Sequence, residues 1–188
     1  SQVDASTGGK LGVDFMGLKN HIGLFKDPKE VIVYPGFLKT LNDRELKSGF
    51  AEILKHCLIA DKKHWKKITS TDFEDLNWED IIPHSLQIKK DIVAEDPFED
   101  GKRKLLNFGH TIGHAVESYF METAKKFLHG EAVAIGMIAE GFLSYKKGGF
   151  PLEELEEMKD YIERIYGKID ISFKTAFLHL KRYIDQDK

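Results

Sequence analysis

A chain of 188 residues, 41% hydrophobic and 31% charged, suits one domain or one large domain with an appendage. It is long enough to bury a sizeable core. The net charge of −3 and the scatter of basic residues argue against a nucleic-acid partner. The short basic cluster Lys62, Lys63, Lys66 and Lys67 has Asp61, Asp72 and Glu74 as neighbours and reads as a solvated helix face.

The single cysteine, Cys57, excludes an internal disulfide. Its apolar helical setting reads as a buried thiol in a reducing compartment. The longest apolar run, Ala132 to Ala139, is far short of the ~20 residues of a membrane span. The chain opens without Met or a signal peptide, which suggests a fragment or a cut domain.

In chain order, residues 1–28 hold glycines at 8, 9, 12, 17 and 23 and read as ordered loop around a site. Residues 30–34 (EVIVY), closed by Pro35-Gly36, read as a short strand and give the one clear strand signal. Thr40 with Asp43 resembles a capping box before a helix over 43–60. A short helix is predicted around 62–68. A longer one is predicted to begin at Pro83, with apolar residues at 86, 88, 92 and 93.

Residues 102–120 read as one helix on the spacing of Leu105, Phe108, Ile112, Val116 and Tyr119. Residues 130–147 are nearly all apolar and predict a central, buried helix. Residues 152–167 are amphipathic and end at Gly167; residues 173–184 give the last helix. The expected architecture is mainly α: a multi-helix bundle preceded by a glycine-rich loop and one short strand.

Histidines cluster in the stretch NFGHTIGHAVESYFMETAKKFLHGEAV, 107–133. His110 and His114 share one helix face, about 40° apart in projection, and Glu117 shares it too. The HExxH zinc pattern has this spacing, but its intervening Glu is absent here. The glycine before each His suggests a close approach by a ligand or another helix. A fold-back after Phe120 could bring His129 to the pair. Catalytic zinc takes three protein ligands; His110, His114 and His129 could supply them, as could two of these with a distant carboxylate. His21, His56, His64, His84 and His179 show no such clustering and read as surface or core residues.

The segments LLNFGHTIGHAVES and FLHGEAVAIGM resemble the signature of the 3-dehydroquinate synthase family. So do QVDASTGGKLGVDFMGLKNHIGLFKDP, FLKTLNDRELKSGFAEILKHCLI and QIKKDIVAEDPFEDGKRKLLN. The likeness covers most of the chain. It implies the family's C-terminal helical domain: 1–40 as the interdomain, cofactor-contacting segment and 41–188 as the metal- and substrate-binding part. The N-terminal Rossmann-like α/β domain would be missing and the C-terminus cut short, so the isolated chain is expected to be an inactive fragment.

By the resemblance, Glu52, His110 and His129 hold zinc or cobalt, and His114 faces the substrate phosphate. Asp4, Asn20, Lys55, Lys89, Arg103 and Asn107 are implied at the substrate. Asp4 is implied near the reacting hydroxyl, and the resemblance implies Lys188 as a further anion contact. Lys10, Lys19 and Phe37, Leu38, Lys39 and Thr40 are implied at NAD+. The stretch METAKK is expected to lengthen a surface turn and leave the site intact.

The implied enzyme is a lyase of the shikimate pathway and aromatic amino acid biosynthesis, cytoplasmic and homodimeric. It converts 3-deoxy-D-arabino-heptulosonate 7-phosphate to 3-dehydroquinate and phosphate. The implied steps are transient oxidation by NAD+ with metal assistance, β-elimination of phosphate, reduction, ring opening and intramolecular aldol closure. Three other readings stand beside it: a valiolone- or inosose-type sugar phosphate cyclase, a glycerol-dehydrogenase-type metal enzyme, and a non-catalytic helical interaction domain.

Overall fold

A computed structural model describes residues 2–15, 18–121, 126–168 and 181, apart from the side chains of 14 and 18–21. The chain divides into two compact units, 1–106 and 107–188.

The first unit begins with an antiparallel hairpin, β1 (Lys10–Phe15) and β2 (Leu18–Phe25). This corrects the expectation of a loop here and of a strand at 30–34. Residues 31–34 have no regular structure, and Ile32 is 84% exposed. A strand needs a partner for its backbone N–H and C=O groups. The hairpin supplies its own, whereas 30–34 has none among the described residues. The period-2 signal was present in Leu11, Val13 and Phe15, but glycines interrupt it. Gly12 pairs with Gly23, where an added Cβ would lie 2.3 Å from the Leu11 carbonyl oxygen.

A 3-10 helix over Pro35–Thr40 leads to α1 (Asp43–Ala60). The cap of α1 is Asn42, not Thr40: its Oδ1 accepts from the Glu45 N–H at 2.9 Å. The Thr40 hydroxyl instead donates to the Phe37 carbonyl at 2.9 Å. On α1, Phe50, Ile53, Leu54 and Cys57 recur at helical spacing and are buried. They pack against α2 (Lys62–Thr69) and α3 (Trp78–Glu95).

Phe50, Phe73 and Trp78 meet edge to face, with centroids 5.2 to 5.8 Å apart. Burying Phe50 contributes about 1.5–3 kcal/mol. Cys57 is buried as expected, and desolvation pushes its thiol up to about 12. Helix α3 starts well before Pro83, because Asn77 caps it through the Glu79 N–H at 3.1 Å. Pro83 lies inside and removes one helical bond. Buried Ile81, Ile82 and Leu86 hold the turns on either side.

Asp61 caps α2: Oδ1 accepts from the His64 N–H at 2.8 Å, and Oδ2 lies 3.1 Å from His84 Nε2. The His64 N–H holds its carboxyl below the ordinary 3.8, with the His84 ring adding to this against a smaller effect of burial. Asp61→Ala is expected to cost about 1 kcal/mol in urea unfolding at neutral pH. A depressed carboxyl stabilises fully above its unfolded value. The cost should therefore shrink as pH falls through the folded value below 3.8.

The second unit contains α4 (His110–Met121), α5 (His129–Gly148) and α6 (Leu152–Tyr166). The single helix expected over 102–120 is broken. A 3-10 turn over Lys102–Asn107 ends it, and Gly109 sits at φ 79° before α4 begins. A side chain at Gly109 would be strained and would meet Met137 Cγ at 2.6 Å.

Helices α4 and α5 meet through glycine. A Cβ at Gly136 would lie 1.9 Å from the Gly109 carbonyl oxygen, and one at Gly113 would lie 3.0 Å from that of Ala132. The first half of α5 is buried as expected, but Phe142 and Leu143 near its end are exposed. Leu155, Met158, Ile162 and Ile165 give α6 its buried stripe. Of the helix predicted for 173–184 only residue 181 is described, and the anion contact implied at Lys188 lies outside the described residues. No helix among the described residues is long and apolar enough to cross a membrane.

Candidate metal and anion site

In the second unit, three imidazoles converge. His110 and His114 rise from the first turns of α4, and their ring centroids are 5.3 Å apart. His129 opens α5 with its ring 5.3 Å from that of His110 and 5.8 Å from that of His114. The fold-back expected from the sequence is therefore present.

Each end of this arrangement is held. His110 Nδ1–H donates to the Phe108 carbonyl at 3.3 Å. His129 Nδ1–H donates to Glu117 Oε2 at 3.2 Å. Donation from Nδ1 places the lone pair on Nε2 in both rings, the form in which imidazole binds a metal. The donor set suits a divalent transition metal such as zinc or cobalt.

A second carboxylate, Glu140 on α5, reaches the start of α4. Its Oε2 accepts from the Gly109 N–H at 2.7 Å and its Oε1 from the Ile112 N–H at 3.2 Å. These donors bracket His110, and a helix start has such N–H groups to offer. Burial pushes the Glu140 carboxyl up, against these N–H groups and the His110 ring.

The first unit gathers charge around Asp4. Lys89 Nζ donates to Asp4 Oδ1 at 2.7 Å and to the Asp4 carbonyl at 2.6 Å. Lys55 Nζ is 3.9 Å from Asp4 Oδ1 and 2.5 Å from Glu52 Oε2. Lys55 and Lys89 are 1% and 7% exposed, so both cations are desolvated and ordered. Burial and the Glu52 carboxylate raise the Asp4 carboxyl. The facing His56 ring and the two lysines outweigh them and hold it well below the usual range.

Asp4, Glu52 and His56 offer ligand atoms within 4.8 Å of one another. Lys55 and Lys89 balance the two carboxylates, so this group of three carries no net negative charge to draw a cation. His56, read from sequence as unremarkable, is fully buried. Its Nδ1 lies 2.7 Å from the Ser85 hydroxyl and its Nε2 3.7 Å from Asp4 Oδ1. Burial depresses its pKa, which keeps the ring neutral at pH 7.

Other predicted residues fall nearby or apart. Arg103 is buried and spends two donors on backbone: one to the Pro97 carbonyl at 2.6 Å and one to the Gly8 carbonyl at 2.8 Å. Arginine has five such donors. Lys10 is exposed and pairs with Glu99 at 2.6 Å. Lys19 and Asn20 lie on β2, with side chains outside the described set. Phe37, Leu38, Lys39 and Thr40 belong to the 3-10 helix, none of them buried. Asn107 ends the next 3-10 turn and is exposed.

Sequence spacing found His129 and noticed Glu117. It missed His56, Ser85 and Glu140. Glu140 lies 31 residues from Gly109, beyond any local pattern.

Comparison with known proteins is consistent along the whole chain. A family model described as 3-dehydroquinate synthase C-terminal matches residues 49–188. One described as 3-dehydroquinate synthase N-terminal matches residues 1–48. A 3-dehydroquinate synthase of Parabacteroides distasonis is 43% identical over 169 residues, covering 88% of this chain and 48% of that protein. One of Dictyoglomus turgidum is 40% identical, covering 100% of this chain and 53% of that protein. The chain thus spans about half the length of the curated relatives it matches.

Among solved structures, 2-epi-5-epi-valiolone synthase from Streptomyces hygroscopicus, with NAD+ and Zn2+ bound, aligns with TM-score 0.80 at 25% identity. It covers 100% of this chain and 54% of that one. A 2-deoxy-scyllo-inosose synthase complexed with carbaglucose-6-phosphate, NAD+ and Co2+ aligns with TM-score 0.82 at 25% identity, covering 100% and 52%.

Proposed function

Because the chain belongs to the 3-dehydroquinate synthase family, we propose that it forms the metal- and substrate-binding part of that enzyme. The proposed reaction converts 3-deoxy-D-arabino-heptulosonate 7-phosphate to 3-dehydroquinate and phosphate. The identity gap carries this reading over the neighbouring cyclases: 40–43% to the dehydroquinate enzymes against 25% to the valiolone and inosose enzymes.

In this reading residues 1–40 contact the cofactor and 41–188 hold metal and substrate. Glu52 joins His110 and His129 as the metal ligands, and His114 meets the substrate phosphate. When bound, NAD+ would accept and return hydride, and zinc or cobalt would act as a Lewis acid toward the substrate oxygen.

The chain's own residues supply binding and orientation. Lys55 and Lys89 are ordered and desolvated by Asp4 and Glu52 before any substrate arrives, so little entropy remains to be lost on anion binding. Asp4, held ionised, can accept a hydrogen bond from a substrate hydroxyl. Arg103 fixes the backbone at Gly8 and keeps donors for a carboxylate. Asn20 and Asn107 complete the polar contacts. Lys10, Lys19 and 37–40 form this chain's share of the NAD+ site. Cytoplasmic location and a homodimer belong to the same proposal.

The test is phosphate release by the protein that contains this chain, with NAD+ and zinc supplied. Release from the heptulosonate phosphate with formation of dehydroquinate is expected. Release only from the valiolone- or inosose-enzyme substrates would move the protein to the neighbouring cyclases. Polyol oxidation without phosphate release would refute the lyase reading.

A further inference from the structure

Helix α4 carries His110 and Glu117, and helix α5 carries His129 and Glu140. Glu117 on α4 accepts from His129 Nδ1–H of α5 at 3.2 Å. Glu140 on α5 accepts from the Gly109 and Ile112 N–H groups on either side of His110 on α4, at 2.7 and 3.2 Å. The two carboxylates therefore cross: Glu117 holds the ring of His129, and Glu140 holds the backbone on either side of His110. The glycine contacts of Gly109, Gly113 and Gly136 bring the helices close enough for side chains of this length to reach.

We propose that Glu117 and Glu140 are positioning residues for the metal-binding histidines, a role that rests on the metal reading above. Glu117 sets the tautomer and rotation of His129 and makes its Nε2 more basic. Glu140 anchors the first turn of α4, which sets where His110 projects. Neither carboxylate need touch the metal. Outer carboxylates of this kind tune affinity because a ligand held in its binding rotamer loses less freedom when the metal arrives.

The experiment measures zinc affinity by chelator competition, and the visible spectrum of the cobalt-loaded chain, for the full chain and its variants. Glu117→Ala should weaken zinc about 10–100-fold. Glu117→Gln, whose amide oxygen still accepts from Nδ1–H, should recover part of the loss. Glu140→Ala should weaken zinc to a similar degree, because both N–H partners lose their acceptor. The cobalt absorption bands should shift in each variant, while thermal unfolding without metal separates positioning from collapse.

If Glu117→Ala does not fold, the Gln variant decides: an affinity between those of the parent and His129→Ala supports the proposal, and one equal to the parent's overturns it. Zinc affinity and cobalt spectra equal to the parent's in all three variants, while His129→Ala loses zinc, would overturn the proposal and leave the metal site standing. Full zinc binding by His129→Ala would sink the metal reading itself.

Discussion

Gly136→Ala is expected to be the most disruptive single-methyl change in the second unit. The new Cβ would sit 1.9 Å from the Gly109 carbonyl oxygen and 2.8 Å from the Gly113 nitrogen. Both are backbone atoms, so no rotamer change relieves the clash. Helices α4 and α5 would have to separate or slide. Overpacking typically costs about 1–3 kcal/mol, and a Cβ driven into backbone atoms belongs at or above about 3 kcal/mol. That is a large part of a total stability of about 5–15 kcal/mol.

The same substitution at Gly49, in α1 with nothing within 4 Å, provides the control. There a helical alanine should stabilise by about 0.5–1 kcal/mol. Urea unfolding of the two variants should move in opposite directions. Equal effects would show that helix propensity, not close approach, explains the glycine at 136. Because Gly109 and Gly113 bracket His110, Gly136→Ala should also weaken zinc binding.

Asp4→Ala should produce the largest electrostatic loss. Lys89 makes an ion pair and two hydrogen bonds with Asp4 and is 7% exposed. Lys55, at 1% exposed, keeps Glu52 but loses its second carboxylate. Breaking a buried pair costs about 3–5 kcal/mol because a charge is left without compensation. The Asp4 side chain is 27% exposed and Lys89 retains a backbone acceptor, so about 2–3 kcal/mol is expected here, read from urea unfolding at pH 7.

The pH dependence follows from the depressed Asp4 carboxyl. A group depressed on folding contributes fully above its unfolded value of about 3.8 and loses that contribution as pH falls through the folded value. Parent and variant stabilities should therefore converge in strong acid. A constant gap down to pH 2 would rule out the ionised carboxylate as the source.

Periodicity announced the long helices because each buries one stripe. Phe50, Ile53, Leu54 and Cys57 on α1 and Leu155, Met158 and Ile162 on α6 repeat at helical spacing, and burial follows. The hairpin escaped because Gly12 and Gly23 sit in its alternation and read as loop signals. The glycines at 109 and 113 signalled close approach, and that held for both. The positive φ at Gly109, which ends one helix and starts another, has no signature in apolar spacing.

Local spacing could find His110, His114 and His129, since two share a helix face and the third follows a short return. It could not choose Glu52, which lies far upstream among many acidic residues. That choice came from the resemblance to a family. Nor could it pair Asp4 with Lys89, 85 residues apart. Tertiary contacts of this length leave no periodic trace.

In the proposed reading Glu52, His110 and His129 hold the metal while His114 is kept for the substrate phosphate. Bound zinc per chain, measured on Glu52→Gln and His114→Ala after equal zinc loading and desalting, tests it most directly. Glu52→Gln is expected to lose its zinc and His114→Ala to retain it. Full zinc in Glu52→Gln together with loss in His114→Ala would show that three histidines form the site instead.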